Sequence, residues 1–160
     1  MDIAKDLKDS VPNIALSTDV IIGFPSETDE DFEDTMDVLR TVRFDMVYSF
    51  LYSPRVGTVA AKMDGTVSKA EKNERMAKLL SMQDAISLEK NLPYEGRTLR
   101  VLTDSSEVRD GETVYTGRTE SNKLVHFKGD AKLGEFVFVE IEKACPFDLI
   151  GKKKEGYRND

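Results

Sequence analysis

"STDVIIGFPSETDEDF", residues 17–32, decides the fold of the first part of this chain. Val20, Ile21 and Ile22 are consecutive apolar, β-branched residues, which reads as a strand buried on both faces, and such strands belong to parallel sheets. Thr28 follows as a helix N-cap, with Asp29, Glu30 and Asp31 in the first turn, where the helix dipole favours acids. Phe32, Met36 and Leu39 recur at helical spacing. A second apolar run, "MVYSFLY" (46–52), returns after a span long enough for a helical crossover, which completes a β-α-β unit. Two parallel strands leave edges and a face uncovered, so this pattern predicts part of an α/β sheet or barrel.

Further along, "SKAE" (68–71) is a capping box, and Met76, Leu79, Gln83 and Ile86 mark one face of a helix that runs to about Asn91. Met63, Met76 and Met82 read as core filler. Leu92-Pro93 ends the helix, and the period then changes. "RTLRVLT" (97–103), "ETVYTGRT" (112–119), "KLVHF" (123–127), "EFVFVEIEKA" (135–144) and "FDLIG" (147–151) are short strands separated by turn-forming residues. Five such strands predict a small closed β-barrel of the kind that binds oligonucleotides. The organisation expected is an α/β part over 1–92, an all-β barrel over 93–151 and a polar tail over 152–160.

Composition narrows the chemistry. The 160 residues carry a net charge of -7, with 11 Lys/Arg against 17 Asp/Glu up to residue 92 and 12 against 13 beyond it. The acidity sits in the first part, and the near-neutral second part is free to present a basic face. No apolar run approaches the ~20 residues that span a bilayer, and the start lacks a signal-peptide core, so no membrane partner is expected and the cytoplasm is the expected compartment. One cysteine, Cys145, and one histidine, His126, cannot build an internal disulfide or a Cys/His metal cage. Cys145 has no nearby general base, so no catalytic residue and no metal ligand is assigned.

Ligands of parallel α/β sheets sit beyond the carboxyl ends of strands, where "GFPSET" (23–28) and "YSPRVGT" (52–58) both lie. Each loop reads either as plain connection or as the rim of a site, with Gly23 admitting a flat ligand and Pro25 stiffening the turn. Glu27 serves either the helix start or a ligand. Arg55, between a proline and a glycine, suits a phosphate. "GRTESNKLVHFK" (117–128) sets Arg118, Lys123, His126 and Lys128 around Phe127. On a barrel this suits RNA, with cations on phosphates and a ring on a base; the other reading puts Phe127 in the core.

Four segments, "STDVIIGFPSETDEDF", "RFDMVYSFLYSPRVGT", "ISLEKN" and "GRTESNKLVHFKGD", together resemble the C-terminal part of MiaB-type tRNA methylthiotransferases, which are radical S-adenosylmethionine enzymes. The resemblance covers about residues 11–151. It implies the last βα units of a partial radical-SAM (TIM-like) barrel, followed by a five-stranded antiparallel TRAM (OB-like) barrel. It also implies that Gly23, Phe24, Pro25, Glu27, Tyr52 and Ser53 help wall the adenosylmethionine site, and that Arg118, Thr119, Asn122, Lys123 and Phe127 meet RNA; Arg55, read from its loop as a phosphate contact, is set with them as RNA-binding.

The implied function is a share in 2-methylthio modification of N6-isopentenyladenosine beside the anticodon, with the tRNA anticodon stem-loop as partner and no DNA. The siblings acting on threonylcarbamoyl-adenosine or on a ribosomal protein, and a free-standing RNA-binding protein, are the alternatives. The family's two four-iron four-sulfur clusters need cysteines that this chain lacks. The resemblance therefore implies a fragment or truncated relative that binds no cofactor alone and works with missing N-terminal domains. Ser26 stands where the family usually has glycine, and Val56 where it often has proline.

Overall fold

Val20, Ile21 and Ile22 do form a strand, but only one of its faces is covered. A computed structural model describes residues 2–156, and these fall into two units that divide between Ile86 and Ser87. The first unit holds α1 (Asp2–Ser10), β1 (Ser17–Ile22), α2 (Asp29–Val42), β2 (Met46–Leu51), a 3-10 turn at Ala60–Lys62 and the larger part of α3 (Lys69–Asn91). β1 and β2 pair in parallel from Ser17 opposite Met46 to Ile22 opposite Leu51, with α2 as the crossover.

Phe32, Met36 and Leu39 of α2 meet Ile22, Val47 and Leu79 in one buried cluster. Side chains alternate across a strand, so Asp19, Ile21, Tyr48 and Phe50 point the other way. Ile21, Tyr48 and Phe50 are 53%, 49% and 54% exposed. Burial on both faces is thus corrected to burial on one, because helices cover a single side of this sheet. Met63 is likewise exposed rather than core, whereas Met76 and Met82 pack against the cluster.

Local signals start both long helices. Thr28 Oγ1 accepts from the Asp31 N–H, and the Asp31 carboxylate accepts from the Thr28 N–H. Ser68 and Glu71 repeat the exchange at the start of α3. The helix α1 has no counterpart among the sequence expectations.

The second unit holds β3 (Thr98–Arg109), β4 (Glu112–Thr119), β5 (Leu124–Lys128), β6 (Phe136–Ala144) and β7 (Asp148–Lys153), closed into a barrel in the order β3-β4-β5-β7-β6. β3 continues past Thr103 through a polar stretch to meet β4 at Asp110-Gly111, where both residues have positive φ, as a type I′ hairpin requires. Four seams are antiparallel and β5–β7 is parallel. This corrects the expectation of an antiparallel barrel, and the reason is parity. Directions cannot alternate all the way round a closed ring with an odd number of strands, so at least one seam must be parallel.

Inside lie Val101, Val125, Phe127, Val137, Val139, Ile141 and Leu149. Closure also brings backbones together. A Cβ on Gly117 would stand 2.2 Å from the Leu102 carbonyl oxygen, and one on Gly151 2.2 Å from that of Glu140, so only glycine fits either position.

Candidate functional site

The carboxyl ends of β1 and β2 open into a cleft of about 490 Å³, within the range of small-molecule sites. Its walls include Ile21, Phe24, Phe50 and Tyr52, with Ser53, Arg55 and Thr58 at hand. Phe24 and Tyr52 meet edge to face with centroids 5.3 Å apart. Four residues singled out from the sequence, Phe24, Tyr52, Ser53 and Arg55, therefore converge here. Arg55 belongs to this cleft and its unit rather than to the barrel face carrying Arg118.

Gly23, Pro25 and Glu27 shape the loop instead of lining the cleft. Gly23 has φ +74°, and the space a side chain would take is filled by the Lys72 stem, so the close approach expected of a ligand is made by Lys72. Lys72 Nζ also donates to the Tyr52 carbonyl at 3.2 Å and lies over the Tyr52 ring. Pro25 is buried. Ser26 takes φ +68°, a left-handed conformation that glycine adopts without strain; its N–H donates to the Gly65 carbonyl at 2.7 Å.

Glu27 accepts from the Gly23 N–H at 2.9 Å and from Arg75 Nη1 at 2.5 Å, and Arg75 also donates to Asp29 at 2.8 Å and to the Glu27 carbonyl. Arg75 and Lys72 are the functional residues that the sequence reading passed over. Arg75 had a signal, since it sits four residues before Leu79 on the apolar stripe of α3, where a charge needs a buried partner.

On the barrel, Arg118, Thr119, Asn122 and Lys123 do come together, as the turn between β4 and β5. Thr119 Oγ1 accepts from the Lys123 N–H at 3.0 Å, Arg118 donates to the Asn122 carbonyl at 3.2 Å, and Asn122 takes φ +61°. Lys123 Nζ donates to Asn91 Oδ1 at 2.9 Å and lies over the Tyr94 ring. Its first duty is to hold the end of α3 within this unit.

Phe127 is 1% exposed and stacks on Tyr115 at 5.6 Å between centroids, so it cannot stack on a base. That assignment is corrected: Phe127 pairs with Tyr115 on the inner face of the barrel, while its neighbours His126 and Lys128 point outward.

Cys145 is half-buried, and burial together with the Asp148 carboxyl pushes its thiol up, away from the thiolate that binds iron. Among the described residues, no three His, Cys, Asp or Glu side chains gather as a metal site, and no helix is long and apolar enough to cross a membrane.

Residues 93–154 match the family model for the TRAM domain. The barrel is a TRAM domain. Separately, nearly the whole chain is similar to proteins named tRNA-2-methylthio-N(6)-dimethylallyladenosine synthase. The relative from Aquifex aeolicus is 49% identical over 150 residues, covering 93% of this chain and 33% of its own length. Those from Acetivibrio thermocellus and Bacillus subtilis are 44% and 42% identical over 152 and 153 residues, covering 94% and 95% of this chain and 32% and 30% of theirs. The chain thus spans about a third of the relatives it matches, and the resemblance to MiaB-type methylthiotransferases read from its motifs holds from the βαβ unit through the TRAM domain.

Proposed function

We propose that this chain acts as the C-terminal portion of a tRNA methylthiotransferase that converts N6-dimethylallyladenosine to its 2-methylthio form. One observation carries the reading: a chain that holds both a strand-end cleft with aromatic walls and a TRAM barrel is 49% identical over 150 residues to a relative of that name. In this reading β1, α2 and β2 are the last βα units of a radical-SAM barrel, and the open sheet face is its interior. The two RNA-modifying and ribosomal-protein siblings gain nothing from the relatives' names, and neither does a free-standing RNA-binding role.

The cleft fits one side of a nucleoside. Phe24 and Tyr52 offer rings to a purine, and Ser53 and Thr58 offer hydroxyls. Arg75, through Glu27 and the Gly23 N–H, fixes the loop that carries Phe24. S-adenosylmethionine bound there would supply the methyl group and the radical of the family's chemistry. The residues present do not fit the two four-iron four-sulfur clusters, because the single thiol lies in the barrel unit, half-buried and protonated, and one thiolate cannot hold a cluster. Those clusters belong with the two thirds of the relatives' length outside this chain, its intramolecular partner. The TRAM domain grips the tRNA, with the anticodon stem-loop as the target, in the cytoplasm.

A chimera tests this. The matching third of the Bacillus subtilis relative is replaced by this chain and expressed in cells lacking their own enzyme, and the tRNA nucleosides are weighed by mass spectrometry. The 2-methylthio derivative of dimethylallyladenosine is expected. A folded, cluster-loaded chimera that modified only threonylcarbamoyl-adenosine or a ribosomal protein, or nothing at all, would overturn the proposal.

A further inference from the structure

With Phe127 inside the barrel, the TRAM domain needs another ring if it is to stack on a base, and its outer face offers Phe136 and Phe138. On β3 the outward residues are Arg100 and Leu102, and on β6 Phe136 and Phe138, because Val101, Thr103, Val137 and Val139 point inward. Leu102 pairs in register with Phe136 on one side and with Arg118 on the other. The three side chains therefore form one row across three strands. Phe136 is 38% exposed, and the Arg100 guanidinium lies 4.0 Å from its ring centre.

We propose that this row, together with Arg100 over the Phe136 ring, is where the TRAM domain stacks an unpaired RNA base on Phe136 and meets the adjoining phosphates with Arg100 and Arg118. The inference rests on the RNA role proposed above and names the residues that perform it. An exposed ring backed by the Arg100 guanidinium is a stacking platform that any base fits, and a second guanidinium, Arg118 on β4 across Leu102, suits a single strand's backbone.

The carboxylates nearby do not block this. Arg100 reaches Glu120 at 3.4 Å and Arg118 reaches Asp104 at 3.8 Å, both long and exposed. Such pairs contribute little, so a phosphate oxygen can replace the carboxylate at small cost. A ring flanked by two guanidinium groups suits a flexible strand, whose phosphates the arginines can meet, better than the apolar core of a folded partner's interface.

The test titrates the full chain with a fluorescein-labelled RNA stem-loop and a labelled single strand of its loop sequence, by anisotropy at two salt concentrations. Phe136→Leu is expected to weaken binding to both about 5- to 100-fold with the salt slope unchanged, as for loss of one stacked base. Phe136→Tyr is expected to retain affinity. Arg100→Gln, at an exposed position that does not enter the core, is expected to lower the salt slope by about one unit.

Circular dichroism melts establish that each variant is folded. Wild-type binding that Phe136→Leu and Arg100→Gln both leave unchanged overturns this face while the RNA role stands. If Phe136→Leu does not fold, an unchanged slope in Arg100→Gln alone overturns it. No binding by the wild-type chain overturns the RNA role and this inference together.

Discussion

Glu27 and Arg75 are paired out of water, with side chains 11% and 8% exposed, and the geometry of the cleft loop hangs on them. Removing one partner of a buried pair is worse than removing both, because the survivor keeps its desolvation cost without its attraction. Arg75→Met is therefore expected to destabilise the first unit by about 3–5 kcal/mol. The double variant Glu27→Gln with Arg75→Met is expected to lose clearly less, since a neutral amide can still accept the Gly23 N–H. Urea unfolding followed through the amide signals of Val20–Ile22 separates the two, and equal losses would show that the pair is not coupled. The pair was half legible. A glutamate before a helix and an arginine on an apolar stripe were both visible, but they are 48 residues apart, and nothing local says that they meet. Phe127 failed for a similar reason: alternation along a strand is readable, but which of its two faces turns inward is fixed by pairing with β4 and β7.

Elements set by neighbours in sequence were the readable ones. Both capping boxes stand where Thr28 and Ser68 were read as helix starts, and their carboxylates carry a pH signature. The Thr28 N–H and hydroxyl hold the Asp31 carboxyl below its ordinary range, and the Ser68 hydroxyl and N–H do the same for Glu71. With folded values below unfolded ones, the unfolded chain takes up protons first on acidification. This stabilisation is complete above the unfolded values, about 4, and is lost as pH falls through the folded values. Asp31→Asn with Glu71→Gln is expected to flatten the fall in helical circular dichroism between about pH 5 and pH 3, a window set by those unfolded values. A wild-type curve that the double variant superimposes on would remove the boxes as its cause. What could not be read were features that exist only after closure: the parallel β5–β7 seam, the glycines at 117 and 151, and the polar half of β3, whose exposed residues have no alternating pattern to show. The helix α1 escaped because Asp2–Ser10 carries neither a capping box nor a buried residue.

At the scale of the molecule, the two units answer the same need in opposite ways. The barrel gives every strand a partner on both edges and buries Val137, Val139 and their neighbours completely enough to stand as a unit. The β1–β2 sheet leaves an outer edge on each strand and one apolar face open to water, and parallel sheets are ordinarily covered on both faces. Opening the sheet exposes one covered face, the cluster around Ile22 and Val47, whereas opening the barrel exposes a core closed on all sides. In this chain as a monomer, the amides of Val20–Ile22 are expected to exchange faster than those of Val137–Val139. In the chimera with the remaining two thirds of a relative, the first group is expected to slow while the second stays as it was, because only the open sheet gains a covering layer. Equal protection of both groups in the isolated monomer would contradict the difference drawn from edge and face exposure. Slowing of the barrel amides alone in the chimera would mean that the relatives' remaining length covers the TRAM domain and not this sheet, and the partial-barrel reading of β1, α2 and β2 would fall with it.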